Sequence, residues 1–249
     1  MRPGAGPAGP QEAMKAVFFS DAHLLDNEPD RARALMTFMR EVASDAEIVV
    51  ILGDLFEFYH GHEGRIYPFY RGITDLLRDM AATRSVYLIE GNHEFGMGDF
   101  FASETGVRCS RSLSLDLDGR RVFLTHGDEI YGFPLHRVLR SRFIYGIMDL
   151  LGPEMTWRIA MECRRFLSKK EKPYYEKTVM RLREYAQKKL REGYDAVIAA
   201  HSHMADLQTY NMEGKEKVYM NTGDLIASST YGVYITGKGF TINTYGRRI

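Results

Sequence analysis

Short, uninterrupted apolar runs recur along this chain, and each stops at a cluster of acidic, imidazole or amide side chains. Met14–Ser20 (MKAVFFS) ends at Asp21-Ala22-His23, Ile48–Leu52 (IVVIL) at Gly53-Asp54, and Val86–Ile89 (VYLI) just before Gly91-Asn92-His93-Glu94. Further on, Arg120–Thr125 runs into His126-Gly127-Asp128 and Ala196–Ala200 (AVIAA) into His201-Ser202-His203, and Asn221-Thr222-Gly223-Asp224 closes the series. Runs this short and this rich in β-branched residues read as strands buried on both faces. Amphipathic segments between them supply the cover: Pro29–Ala43 spaces Ala34, Leu35, Phe38, Met39 and Val42 as a helix does, and Pro68–Ala82 follows the same pattern.

After the third run the alternation ends. Ser112–Leu117 and Arg120–Thr125 flank Asp118-Gly119, a hairpin signal, and the tail from Gln208 reads as antiparallel strands turning at Gly214 and Gly237-Lys238-Gly239. The expected fold is α/β: two sheets packed as a sandwich with helices outside, one domain over residues 14–249. At 249 residues the chain is long enough to bury such a core.

Between His126 and His201 lies a helical insertion, residues 131–193, expected to cap the sandwich. Its signals are an apolar stripe (Leu135, Val138, Leu139, Ile144, Ile147, Leu150, Leu151) and a second, Lys/Arg-rich helix over Tyr174–Arg191. The insertion holds 15 Lys and Arg against 7 Asp and Glu, a net +8, while the chain as a whole is neutral. An acidic body therefore carries a basic insert, which disfavours a nucleic-acid partner at a site framed by the body. Only two cysteines are present, Cys109 and Cys163, in no zinc spacing, which suits a reducing cytoplasm. Residues 1–13, rich in Pro, Gly and Ala without an apolar stretch, read as a disordered tail and not as a secretory signal.

Divalent ions that activate water take oxygen and imidazole ligands, and a bridging carboxylate holds two of them about 3.5–4 Å apart. Asp21 and His23 are separated by one residue, so in an extended segment both side chains project to one side, and the same holds for His201 and His203. Asp54, at the next strand end, is the natural bridge.

In order, Asp21-Ala22-His23, Gly53-Asp54-Leu55-Phe56-Glu57, Gly91-Asn92-His93-Glu94, His126-Gly127 and Ala200-His201-Ser202-His203 resemble the DxH, GDxxE, GNH(D/E), HG and GHxH motifs of calcineurin-like metallophosphoesterases. Ala200 replaces the Gly usual before the His pair. The resemblance implies a two-ion hydrolase with Asp21, His23, Asp54 and His203 on one ion and Asp54, Asn92, His126 and His201 on the other. Manganese is the first expectation, with iron or zinc as alternatives. Such ions make water acidic and hold phosphate oxygens for in-line attack. Asn92 and His93 would then stand at the reacting phosphate, with His93 protonating the leaving oxygen and Glu94 orienting it.

Within that family the chain looks most like the UDP-2,3-diacylglucosamine diphosphatases of lipid A synthesis, through Phe58-Tyr59 behind the second motif, the compact length and the helical insert. This implies cleavage of a nucleotide-linked lipid to UMP and 2,3-diacylglucosamine 1-phosphate at the cytoplasmic face of an anionic membrane. One departure keeps a second reading open. Many of those enzymes resemble Gly-Asn-Arg-Asp where this chain has Gly91-Asn92-His93-Glu94, the form of the wider family, whose members include phosphodiesterases and phosphatases acting on nucleotides or phosphoproteins. A non-catalytic scaffold is disfavoured because every expected ligand position is filled.

Arg137, Arg140 and Arg142 follow the His126 strand closely enough to be candidate phosphate contacts. Asp128 and Asp224 are candidates to stand behind ligating histidines. His60, His62 and His136 are expected at the surface, and Trp157 in the core of the cap.

Overall fold

The computed structural model describes residues 13–61, 65–131, 138–167, 175–247 and 249. The expected tail, Ala13 apart, lies outside the described residues, as do His62, His136 and Arg137. Strands β1 (Lys15–Phe19), β2 (Ile48–Ile51), β4 (Ser85–Ile89) and β6 (Arg108–Ser110) run parallel, and β12 (Thr230–Ile235) and β13 (Gly239–Thr244) extend the sheet antiparallel beyond β1. A second sheet has the order β10-β11-β9-β8-β7, from β7 (Ser112–Leu117), β8 (Arg120–Thr125), β9 (Ala196–Ala199), β10 (Ala205–Met212) and β11 (Lys215–Thr222).

Strand alternation explains why the runs carry no polar residues. In the first sheet Val17, Phe19, Val49, Ile51, Val86 and Leu88 point outward into a core with α1 (Pro29–Val42), α2 (Arg71–Ala81) and α3 (Gly98–Thr105). Their neighbours Ala16, Phe18, Val50, Tyr87 and Ile89 point inward and meet Val122, Leu124, Ile198 and Met220 of the second sheet. The expected two-sheet sandwich is therefore the observed one, with its hairpin turning at Asp118-Gly119.

The insertion departs from the single cap expected over residues 131–193. Its second helix, α5 (Tyr175–Arg191), buries Leu182, Ala186 and Leu190 against Phe123, Val197, Ala199 and Tyr219, so it is the outer layer of the second sheet. The charge pattern hid this, because Lys and Arg crowd the helix's other faces. Lys217, nearly buried on β11, donates from Nζ to the carbonyls of Leu190 and Tyr194 at 2.7 and 2.9 Å. A cation there satisfies groups that the end of the helix leaves bare and suits its dipole. Lys217→Met strands both carbonyls at a cost of about 2–3 kcal/mol. In thermal unfolding it should melt roughly 5–10 °C below the parent; a melting point within a degree of the parent would refute the role.

The remaining helix, α4 (Arg142–Leu167), breaks at Gly152 (φ 76°) with Pro153 following. It sits beside a small parallel ribbon of β3 (Tyr59–His60) and β5 (Glu94–Phe95), which ties the second and third motif loops together. His60, expected at the surface, is buried there and its Nε2 lies 3.0 Å from Asp149 Oδ1 on α4. Trp157 packs edge-on to Phe69, at the border of the core. Among the described residues no helix is long and apolar enough to cross a membrane.

Candidate metal centre

All six motif segments meet at one end of the sandwich, and their backbone is unusual. Asp21, His23, Asp54, His201 and His203 each have φ between 43° and 68°. That region is left-handed, disfavoured for residues with a Cβ, and tends to persist where function over-determines it. The side chains of each Asp-x-His or His-x-His pair thus converge through left-handed turns, and the extended geometry expected from spacing is not what aims them. Close approach of two strand ends does the rest. A Cβ on Gly53 (φ +92°) would lie 2.7 Å from Gly91 N and 2.8 Å from His126 Nδ1, and one on Gly91 would lie 2.1 Å from Asp54 Oδ1. Glycine at both positions lets Asp54 and Asn92 share one cavity.

Two groups of donor atoms result, joined by Asp54. On one side His23 Nε2 lies 3.7 Å from Asp21 Oδ1 and 3.8 Å from Asp54 Oδ2, and His203 Nε2 lies 3.3 Å from Asp21 Oδ1. On the other His126 Nε2 lies 3.4 Å from Asp54 Oδ2, 3.1 Å from Asn92 Oδ1 and 3.1 Å from His201 Nδ1. Asp54 Oδ1 is occupied by the backbone N–H of His93 at 3.0 Å, which leaves Oδ2 facing both groups. His126 Nδ1 is 2.7 Å from the Leu52 carbonyl, and His93 Nδ1 is 2.7 Å from the Glu57 carbonyl. A carbonyl can only accept, so each Nδ1 carries a proton and each Nε2 is turned inward. Both oxygens of fully buried Asp21 lack a hydrogen-bond donor, a costly arrangement unless a cation fills the space. The donor set fits a pair of divalent ions.

Charge follows the same division. Burial alone would raise Asp54 and Asp21, but the imidazoles of His126, His23 and His203 outweigh it and hold both carboxyls below the usual range. Burial would lower His23, yet the Asp21 and Glu57 carboxylates lift it to about 10, and Asp54 holds His126 well above its ordinary value. His201 goes the other way, to about 4, through burial and the neighbouring His126 charge. The cavity opens on one side: the side chains of His203 and His93 are 39% and 27% exposed, whereas His126 and Asp54 are 0% and 2%.

Supporting residues differ in part from expectation. Glu94 does not touch His93. Its buried carboxylate accepts the backbone N–H groups of Asp54 (3.0 Å), Leu55 (2.8 Å), Phe56 (3.3 Å) and Gly91 (2.9 Å), so it braces the loops that carry Asp54 and Asn92. Glu57, quoted above only as part of a motif, holds the place expected for Glu94, with Oε1 3.1 Å from His93 Nδ1 and Oε2 3.3 Å from His23 Nδ1. Its position three residues after Asp54 was the available signal. Burial would raise Glu57, but His23 and His93 bring it down to about 2.

Asp224 lies 4.0 Å behind His203 Nδ1 and is held by the backbone N–H groups of Ala227 and Ser228. Asp128, nearly buried, contributes to the field at His126 and His201. Arg140 does not stand free for phosphate: its guanidinium pairs with Glu90 at 3.0 Å and donates to the Gly91 carbonyl. Arg142 is exposed on the first turn of α4.

The profile of the calcineurin-like phosphoesterase family matches residues 14–205. Among curated proteins, a UDP-2,3-diacylglucosamine hydrolase of Aeromonas salmonicida is 30% identical over 224 residues, covering 85% of this chain and 86% of that protein. The protein of that name from Aromatoleum aromaticum is 29% identical over 210 residues, covering 81% and 85%. One from Pseudomonas aeruginosa reaches 41% identity over 120 residues, covering 47% and 49%.

Proposed function

The chain belongs to the calcineurin-like phosphoesterase family, and on that premise we propose that it hydrolyses the pyrophosphate of UDP-2,3-diacylglucosamine, releasing UMP and 2,3-diacylglucosamine 1-phosphate. The observation that carries the hydrolytic reading is Asp54 Oδ2, which lies 3.8 Å from His23 Nε2 and 3.4 Å from His126 Nε2 and so belongs to both donor groups. Asp21, His23, Asp54 and His203 would hold one divalent ion, and Asp54, Asn92, His126 and His201 the other. When bound, the ions supply Lewis acidity that activates water and neutralises phosphate charge. Manganese is our first choice by ligand type, with iron or zinc behind it.

His93 stands at the open side with its Nδ1 fixed by Glu57, so its Nε2 is free to deliver a proton to the leaving oxygen. His93→Ala should lower kcat by about 10²–10⁴-fold while metal content by atomic absorption stays at the parental level. Parental turnover would remove the proton-delivery role. Cation loading has a pH signature of its own. The metal-free imidazole of His23 is lifted to about 10 by the Asp21 and Glu57 carboxylates, so it is protonated at neutral pH and must lose that proton to become a ligand, and the upward shift of His126 beside Asp54 acts in the same direction. Affinity for Mn²⁺ should therefore fall as pH falls, and calorimetry in two buffers of different ionisation heat should register proton release near pH 7. Buffer-independent heats would contradict it.

The substrate class rests on the relatives and on α4. That helix exposes Phe143, Ile147, Leu150, Leu151, Met155 and Ile159 beside Arg142 and Arg158. Apolar side chains flanked by arginine suit the surface of an anionic bilayer, and we place the protein peripherally on its cytoplasmic face. The deciding experiment supplies Mn²⁺-loaded protein with UDP-2,3-diacylglucosamine in anionic vesicles and, separately, with a soluble phosphodiester. UMP release from the lipid is the expected result. Hydrolysis of the soluble ester alone would replace this reading with a phosphodiesterase acting on nucleotides.

A further inference from the structure

Glu57 lies beneath the two histidines that face the open side of the centre, and it is fully buried. Its carboxylate has a third neighbour from a distant part of the chain: Arg164, near the end of α4, places Nε 2.7 Å from Oε1. The oxygen that Arg164 contacts is the one facing His93 Nδ1, and the other oxygen faces His23 Nδ1. Arg164 is 44% exposed, so the link runs from the protein surface through one carboxylate to both rings. A second arginine of the insertion reinforces the connection, since Arg140 holds Glu90 and the Gly91 carbonyl next to Asn92.

We propose that Arg164 is a positioning residue, which orients the Glu57 carboxylate and through it the His23 and His93 rings, so that the seating of α4 sets the aim of both imidazoles. The physical case is the geometry of the carboxylate. The Nδ1 atoms of two imidazoles flank it on the side of the centre, His23 3.3 Å from Oε2 and His93 3.1 Å from Oε1, where the His93 N–H bonds the Glu57 carbonyl, and a planar guanidinium beside Oε1 restricts its remaining rotation. Without Arg164 the carboxylate can turn, so that His23 loses its fixed neighbour and His93 is left with the Glu57 carbonyl alone. Groups that orient ligating or reacting histidines in this way typically contribute about 10–100-fold to rate or affinity. The proposal rests on the assignment of His93 to proton delivery for its effect on rate, but not for its effect on ring orientation.

The test compares the parent with Arg164→Ala, Arg164→Gln and, as a neighbouring control, Arg165→Ala, which removes an exposed ion pair with Glu162. Zn²⁺-loaded, ¹⁵N-labelled protein reports the Nδ1–H signals of His23 and His93, and kinetics use bis(p-nitrophenyl) phosphate, too small to need α4. We expect both Arg164 variants to shift the two signals and speed their exchange with water about tenfold or more. kcat should drop about 10–100-fold with KM changed less than about twofold, and added guanidinium should restore part of kcat to Arg164→Ala. Arg165→Ala should match the parent in every respect. Unchanged imidazole signals in both Arg164 variants would overturn the proposal, as would a change in KM alone. A parent that turns over no phosphoester while the signals still shift would remove the catalytic reading and leave the positioning role standing.

Discussion

Asp54→Asn should abolish hydrolysis, lowering kcat by about three orders of magnitude or more, while leaving the fold intact. Asparagine tolerates the left-handed backbone at this position (φ 52°) and keeps an oxygen for the His93 N–H that Asp54 Oδ1 now accepts. What it removes is Oδ2, the atom shared by the two donor groups, and it puts an NH₂ group in that place. An amide hydrogen cannot bridge cations. Metal analysis should show a drop of at least one ion per chain, with melting of the metal-free protein within a few degrees of the parent. Retained activity with two ions bound would disprove the bridging role of Asp54. Alanine is the poorer probe, since it would add backbone strain to the loss of the oxygen.

Glu94→Gln should be nearly as damaging, although it exchanges groups of the same shape. Oε2 accepts the N–H groups of Asp54 and Gly91, and Oε1 those of Leu55 and Phe56. Whichever way a glutamine amide is turned, its NH₂ faces two backbone donors in a fully buried place. Two stranded donors cost about 2–6 kcal/mol, which for a chain of this size lowers the melting point by roughly 10 °C. Because the stranded groups belong to the loops carrying Asp54 and Asn92, ion affinity should fall with stability. A variant that melts within two degrees of the parent and binds Mn²⁺ normally would show that Glu94 is not a brace.

Much of this was readable from the chain itself. Apolar runs bounded by polar clusters located β1, β2, β4, β8 and β9, because strands covered on both faces leave no room for alternation. Asp118-Gly119 located the hairpin by local backbone preference. The seven candidate donors are picked out by motif order, and the structure brings them to one end of the sandwich because each lies within a few residues of a strand end. What could not be read depends on contacts between distant segments. Glu57 and Arg164 are 107 positions apart in the chain and meet only because α4 lies beside the β3–β5 ribbon. Adjacency in sequence pairs Glu94 with His93, whereas three of its four backbone partners lie some 40 residues away. Charge groups helix α5 with α4, although Leu182, Ala186 and Leu190 mark an ordinary core-facing stripe. His60 resembled a surface residue until a helix covered it.

The left-handed turns carry a consequence for how such a chain changes over time. Five donor residues in that conformation store about 1 kcal/mol or more each, roughly 5 kcal/mol in all, comparable to the entire margin by which many domains stay folded. Substitution of any of them by glycine would relieve strain while discarding a donor. Drift toward greater thermal stability and drift toward loss of hydrolysis therefore run in the same direction here, and only continued selection for turnover holds the two apart.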